Sequence, residues 1–342
     1  MPECSKAQYH IYQMTKKKID KTAVKQQVWI ERTMLMLGVT RSEAEALLRT
    51  PRQQSLRINT LRTSDASKIT EQLRAQGIAG EPYAWAPHCL YLQVPVQAVR
   101  DHPLVMNGTV FIQNAASWLP VLSLEPQAGE RILDVCAAPG GKTSHIAAIT
   151  GNKAEIWVND NSRPRLAKMR ANFERLGVEI TEATLYDGRL LARKLPDVQF
   201  DRILLDAPCS GEGLMQLDRS KDFATWSVAH IKRLQQLQKQ LILQAWQLLT
   251  PGGTLVYSTC TMAPEENEAV VDYLLRKSQG QAQLATITLD VPSSVPPVMQ
   301  WQGKQFNEEV AKCLRLKPSI EIEAFFVAKV IKSGSSESDM LE

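Results

Sequence analysis

At 342 residues, with 44% hydrophobic and 22% charged side chains, the chain has the make-up of an ordinary globular protein, two domains or one large domain with an extension. No apolar stretch approaches the roughly 20 residues that cross a bilayer as a helix, which excludes a membrane-spanning helix. The net charge of +4 is unevenly spread: residues 1–115 hold 15 Lys and Arg against 9 Asp and Glu, and the remainder 25 against 27. A basic front on a near-neutral body points to a polyanion held by the front part.

In chain order, residues 1–50 read as a helical segment, with Thr40 and Glu43 spaced as a capping box and Thr50-Pro51 as its end. SLRINTLR (55–62) alternates like a strand, residues 67–77 form a helix ending at Gly77, and short strands lie near 90–94 and 110–112. From 130 onward strands alternate with helices, the mark of a parallel sheet with crossovers. The expected strands are 131–136, 155–159, 179–185, 201–206 and 253–258, with helices at 142–150, 163–176, 228–249 and 264–277. Residues 279–302 read as loop, 324–330 as a last buried strand, and 332–342 as a flexible tail. The organisation expected is therefore a helical segment (1–50), a small α/β extension (51–115), a Rossmann-like domain (116–331) and the tail.

The first turn of that domain, DVCAAPGGKT (134–143), is a strand-to-helix turn of small residues, where backbone can approach a ligand. A phosphate-binding P-loop would need glycine at 136, which is Cys136. The competing reading, a nucleoside site, expects an acid at the end of the second strand to hold ribose hydroxyls, and Asp160 stands there. Asp187 follows the third strand, within reach of an adenine amino group. A carboxylate on the ribose favours S-adenosylmethionine over ATP or NADP. Helix capping is the simpler alternative for either acid.

Two cysteines follow apolar strands and so fall on the carboxyl edge of the sheet: Cys209 in DAPCSGEG and Cys260 in YSTCT. The six cysteines (4, 89, 136, 209, 260 and 313) show neither disulfide density nor metal spacing, and the five histidines are dispersed. No metal is expected, and a reducing cytoplasm fits. The N-terminus lacks the apolar core of a signal peptide. A cofactor turn and two nucleophile-grade thiols on one edge suggest covalent group transfer. Trp226, Trp246 and Trp301 read as packing rather than base stacking.

DVCAAPGGKT, VNDNSRPRL, YDG, LLDAPCSGEG, YSTCT and PEENEAVV resemble the successive motifs of the RNA 5-methylcytosine methyltransferases of the Sun/Nop (RsmB/RsmF/NSUN-like) family. The resemblance implies a class I S-adenosylmethionine-dependent methyltransferase domain, with a mostly parallel seven-stranded sheet and an N-terminal α/β RNA-binding extension. It implies methyl transfer to carbon 5 of a cytidine in structured RNA, with ribosomal RNA favoured, transfer RNA as the alternative, and a ribosomal subunit as a possible partner. A monomer is expected.

By that resemblance Cys260 is the nucleophile, Cys209 assists product release, Asp206 activates the base, and Lys142 helps orient the target or the cofactor carboxylate. The residue chemistry alone does not choose between the two thiols. The turn Cys136, Ala137, Ala138, Pro139, Gly140, Gly141 and Lys142 would cradle the methionine part, with Asp206 between cofactor and base. Asp160 would hold the ribose, Asp187 the adenine, and Arg165 would support the second strand. Arg57, Asn59 and Arg62 resemble a segment near the RNA path, and FIQNAAS (111–117) a stretch that closes the cofactor pocket. One departure is visible: Ala324 stands where the family usually has glycine before paired phenylalanines. A P-loop NTPase and a catalytically inactive RNA-binding factor are the rival classes, opposed respectively by Cys136 and by the intact Asp206, Cys209 and Cys260.

Overall fold

The computed structural model describes residues 20–334. The lysine run at 16–18, the rest of residues 1–19 and the tail from 335 lie outside the described residues. Within them no helix is long and apolar enough to cross a membrane.

Two helices open the fold. Helix α1 (Lys21–Leu37) is capped by Asp20, whose carboxylate accepts the amides of Thr22 and Ala23. Helix α2 (Arg41–Arg49) starts from the Thr40–Glu43 capping box, with both arms formed. Both pack Trp29, Ile30, Ala44 and Leu48 against Phe223, Trp226, Met262 and Ala324.

Next comes a four-stranded antiparallel sheet of β1 (Ser55–Ile58), β2 (Ala79–Tyr83), β3 (Ala86–Leu92) and β4 (Val110–Ile112), in the order β2-β3-β1-β4. Helix α3 (Ala66–Ala75) covers it, and Leu56, Ile58, Leu73, Leu90 and Val110 form its core. The strand read over 55–62 stops at Ile58. Asn59 turns the chain there, its carbonyl accepting the Arg62 amide and its side chain the Leu61 amide.

The large sheet runs β11-β14-β15-β9-β8-β5-β6-β7. Its parallel part is β5 (Arg131–Asp134), β6 (Glu155–Asn159), β7 (Glu182–Thr184), β8 (Phe200–Asp206) and β9 (Leu249–Thr259). Strands β14 (Leu314–Leu316) and β15 (Phe325–Lys332) join antiparallel, which completes the seven-stranded core. Two short strands extend it: β10 (Ala282–Ala285) on β15 and β11 (Ser294–Val295) on β14. These, with the hairpin β12 (Gln300–Trp301) and β13 (Lys304–Gln305), occupy the region expected to be mostly loop.

Alternation along each strand supplies two cores, one per face. Ile203, Leu205, Leu255, Tyr257, Phe326 and Ala328 face one side, against helices α7 (Val228–Leu248) and α8 (Glu268–Lys277). Leu204, Val256, Phe325 and Val327 face the other, against α4 (Leu119–Leu124), α5 (Gly141–Thr150) and α6 (Arg163–Leu176). Helix α8 starts four residues later than expected, because Pro264–Asn267 form a buried turn. Trp226 and Trp246 are buried and Trp301 lies beneath the Arg32 guanidinium, so all three pack. Burial holds His145 well below the usual histidine range and therefore neutral.

The structure corrects the RNA-facing expectation for the 57–62 segment. All four residues of β1 are buried, because the half built on the large sheet covers the face that alternation suggested was open. Arg57 donates to Ser144 Oγ at 2.7 Å and to Gln113 Oε1 at 3.3 Å, and burial lowers it to about 10. Asn59 donates to the carbonyls of Gly108 (2.9 Å) and Leu176 (2.8 Å), tying the small sheet to the end of α6. Arg62 is exposed, but its guanidinium caps α6 through the carbonyls of Glu174 and Arg175. These residues join the two halves of the fold.

Asn59→Ala should therefore leave two buried carbonyls unpartnered and cost about 2 kcal/mol. Thermal unfolding should fall by several degrees, while RNA affinity measured well below the transition stays at the wild-type value. A selective loss of RNA affinity at unchanged stability would restore the RNA-facing role.

Candidate active site

The carboxyl ends of β5, β6, β8 and β9 carry the chemistry. After β5 the chain makes the turn from Cys136 to Lys142 and enters α5. Gly140 sits at φ +96°, and a Cβ there would meet Phe173 at 2.6 Å, so only glycine fits. A hollow of about 210 Å³ opens beside this turn, walled by Phe111, Gln113, Asp134, Cys136, Lys142 and Asp206. Beyond Cys136 a smaller hollow of about 40 Å³ is lined by Asp160, Arg165 and Asp187. The structure thus brings the turn, Asp160, Asp187 and Asp206 to one groove.

Two buried carboxylate oxygens along the groove lack a hydrogen-bond partner: Oδ1 of Asp134 and Oδ2 of Asp160. Thr143 donates to the other oxygen of Asp134 at 2.7 Å, and burial raises this acid to about 7. Arg165 Nη1 lies 3.0 Å from Asp160 Oδ2, but its hydrogen is aligned with Oδ1, 3.4 Å away. Arg165 also donates to the Ala138 carbonyl, so it braces the turn as well as the acid. Asp187 differs from the expectation of a free adenine ligand. It caps the short helix Gly188–Leu190 through the Arg189 amide, and the Arg189 guanidinium, 2.5 Å away, holds its carboxyl below the usual range.

Asp206 closes β8, with both oxygens engaged. One accepts from Lys142 Nζ at 2.7 Å and the other from Ser258 Oγ at 2.8 Å. Burial works against the Lys142 charge, but Asp206 outweighs it and raises the lysine above its ordinary value. Lys142 Nζ also lies 5.7 Å from the centre of the Phe325 ring.

Cys209 Sγ and Cys260 Sγ are 3.3 Å apart. The adjacent sulfur, then burial, hold the Cys209 thiol well above the ordinary range. Two thiolates so close would repel strongly, so the pair carries at most one negative charge. Cys136, in contrast, is pushed up by burial and by the surrounding acids, which leaves it inert.

What fixes the sulfur pair is Glu266. Its carboxylate accepts from the Ser210 amide at 2.9 Å, the Ser210 hydroxyl at 2.5 Å and Gln238 Nε2 at 2.9 Å. The Ser210 hydroxyl lies 2.7 Å from that of Thr261, so one carboxylate ties the loop of Cys209 to the loop of Cys260. Gly213 completes the seam: its amide donates to the Cys260 carbonyl, and a Cβ there would meet the Ala324 carbonyl at 2.1 Å. Ala324 itself is fully buried among Trp29, Met262 and Ala263. Glu266, Ser210, Ser258 and Asp134 were not singled out from the sequence. The signal available was four consecutive polar residues, Glu265–Glu268, in front of an apolar AVV run.

Residues 121–331 match the family described as 16S rRNA methyltransferase RsmB/F. A tRNA (cytosine(49)-C(5))-methyltransferase of Pyrococcus abyssi is 39% identical over 293 residues, 84% of this chain and 90% of that protein. Ribosomal RNA small subunit methyltransferase F of Cronobacter sakazakii is 32% identical over 316 residues, 90% of this chain. The chain spans only 63% of that relative's length. The crystal structure of NSun6 from Pyrococcus horikoshii with SFG superposes with a TM-score of 0.73 at 25% identity, covering 89% of this chain and 97% of that one.

Removing the Glu266 tie should loosen the two sulfurs. Glu266→Ala should bind phenylarsine oxide, which needs two adjacent thiols, at least tenfold more weakly than wild type, with both thiols still titratable. Equal affinity would show that the carboxylate does not set their spacing. Burial, moderated by Ser210 and Gln238 and reinforced by Glu212, raises Glu266 to about 7 from an ordinary 4.5. The folded state then binds the extra proton between those values, so stability falls as pH rises through that window. Glu266→Gln should remove that share, and its melting temperature should drop less from pH 5 to pH 8 than that of wild type.

Proposed function

The chain belongs to the RsmB/F family of S-adenosylmethionine-dependent RNA cytosine-5 methyltransferases, and from that premise we propose that it methylates carbon 5 of a cytidine in structured RNA through a covalent cysteine adduct. The observation that carries the mechanism is the thiol pair at 3.3 Å beside the Lys142–Asp206 ion pair.

The residues along the groove fit the cofactor. The unpartnered oxygen of Asp134 suits the amino group of its methionine end, that of Asp160 the ribose hydroxyls, and the small-residue turn 136–141 leaves room between them. S-adenosylmethionine supplies an electrophilic methyl group. The chain must then make carbon 5 of cytosine nucleophilic.

Cys260, as the thiolate of the pair, adds through Sγ to carbon 6 of the ring. Electron density moves to carbon 5 and the ring-nitrogen-3 edge. That edge would lie against the Lys142–Asp206 ion pair, whose protonated lysine offsets the charge that develops there. After transfer a base takes the carbon-5 proton, and the carbon–hydrogen pair re-forms the 5,6 double bond. Cys260 leaves with the carbon–sulfur pair as thiolate, and Cys209 assists this release. A duplex or stacked target must be swung out to reach the sulfurs. Ribosomal RNA is the first reading of the substrate, in line with the family description. Transfer RNA is the second, supported by the 90% coverage of the archaeal relative.

Cys260→Ala should abolish transfer and form no adduct. Cys209→Ala should accumulate a protein–RNA adduct that survives denaturing gels. The reverse pattern would exchange the two roles. Bisulfite sequencing of total RNA from cells with and without the gene should show one protected cytosine lost, in ribosomal or transfer RNA. An unchanged profile in both would refute both substrate readings.

A further inference from the structure

A third cavity, of about 430 Å³, opens between the 51–54 linker and the loop after Gly213. Arg52, Gln54, Asn114, Gln216, Arg219 and Glu323 line it. Three of its walls are the next residues along from the active site. Leu214 follows Gly213, which touches Cys260; Glu323 precedes Ala324, whose carbonyl faces Gly213; and Asn114 follows Gln113 of the cofactor groove. The cavity is thus joined to Cys260 and to the groove by residues adjacent in the chain.

Its chemistry is that of a site awaiting an anion with hydrogen-bonding edges. Arg52 Nη1 donates to the Met215 carbonyl at 3.2 Å, but its Nε is buried and has no partner. Among the described residues Arg52 forms no salt bridge, although Glu323 of the same lining attracts it, and Asp222 less so. Arg219, held by Asp222 at 3.0 Å, lines the same space and repels it. Desolvation of the Arg52 guanidinium outweighs the attraction of Glu323, and an anion between Arg52 and Arg219 relieves that cost. Among the described residues the side-chain amides of Gln54 and Asn114 make no hydrogen bond, which leaves donors and acceptors facing the cavity. Burial raises the Glu323 carboxyl, against the opposing pull of Arg52 and Lys142. The volume is within the range of small-ligand pockets and holds one nucleotide.

We propose that this cavity seats the RNA nucleotide adjoining the target cytidine, with its phosphate on Arg52 and Arg219 and its sugar or base edge on Gln54 and Asn114. The assignment rests on the RNA-methyltransferase reading. It puts the grip on the RNA at the 51–54 linker and the loop after the Cys209 turn, instead of on the 57–62 segment. Held there, the neighbouring nucleotide fixes the backbone from which the target is swung out.

The test is equilibrium binding of a labelled small-subunit ribosomal RNA transcript, and of unfractionated tRNA, across a potassium chloride series. Arg52→Gln should raise Kd about 5- to 20-fold and reduce the slope of log affinity against log salt by about 0.7–0.9. Gln54→Glu leaves Arg52 in place and puts a negative charge in the cavity; it should raise Kd comparably. Both variants should keep the wild-type melting shift with S-adenosylhomocysteine, which reports an intact fold and cofactor groove. Wild-type Kd and salt slope in both variants would overturn the cavity assignment alone. Absence of RNA binding by the unaltered protein would overturn it together with the reading on which it rests.

Discussion

One buried carboxylate organises the catalytic edge. Parallel strands deliver Cys209 and Cys260 to neighbouring strand ends, but neighbouring strands are nearly 5 Å apart and loops beyond them wander. Glu266 removes that freedom by accepting from both the backbone and the hydroxyl of Ser210, which in turn meets Thr261. Burying an acid is unfavourable unless its lone pairs are filled, and here Gln238 fills what Ser210 leaves. The sulfur separation follows from that network more than from the sulfurs themselves.

Around it stands a ring of buried charge. Glu268 pairs with Arg315 at 2.8 Å, Glu265 with Arg32 at 2.8 Å, and Glu212 accepts from Trp226 and Thr261. Each pair is individually a doubtful source of stability, since desolvation opposes attraction. Their value lies in register: every wrong placement of the 264–268 turn strands a buried charge. Asn267 adds to this, accepting from Thr259 and donating to the Thr261 carbonyl on either side of Cys260.

Much of this was legible in the sequence, for physical reasons. Alternating apolar strands and amphipathic helices identify a parallel sheet, and strand ends are where ligands meet it, so the positions of Cys209, Cys260, Asp160 and Asp206 could be read directly. The Thr40 capping box was legible because caps are local. Roles that depend on distant partners were not. Arg57 and Asn59 look outward-facing by alternation, and nothing nearby in the chain says that a second layer covers them. Asp187 caps a helix and lines the groove at once, and one-dimensional spacing cannot separate the two. Ala324 stood out as a departure; its meaning emerges only against Trp29 and Gly213, which lie far away in sequence.

Helix α1 reaches the Glu265–Glu266 turn directly. Arg32 of α1 clasps Glu265, next to Glu266, and Lys25 and Gln26 fasten the loop after Cys209 through the carbonyls of Phe223 and Leu217. The front of the chain is thus part of the mould in which the reactive sulfurs are cast. Enzymes of this build are poor candidates for cut-and-paste engineering at the start of the Rossmann-like domain. A chimera that swaps the front to change which RNA is chosen also exchanges the clasp on the Glu265–Glu266 turn, so specificity and reactivity are inherited together.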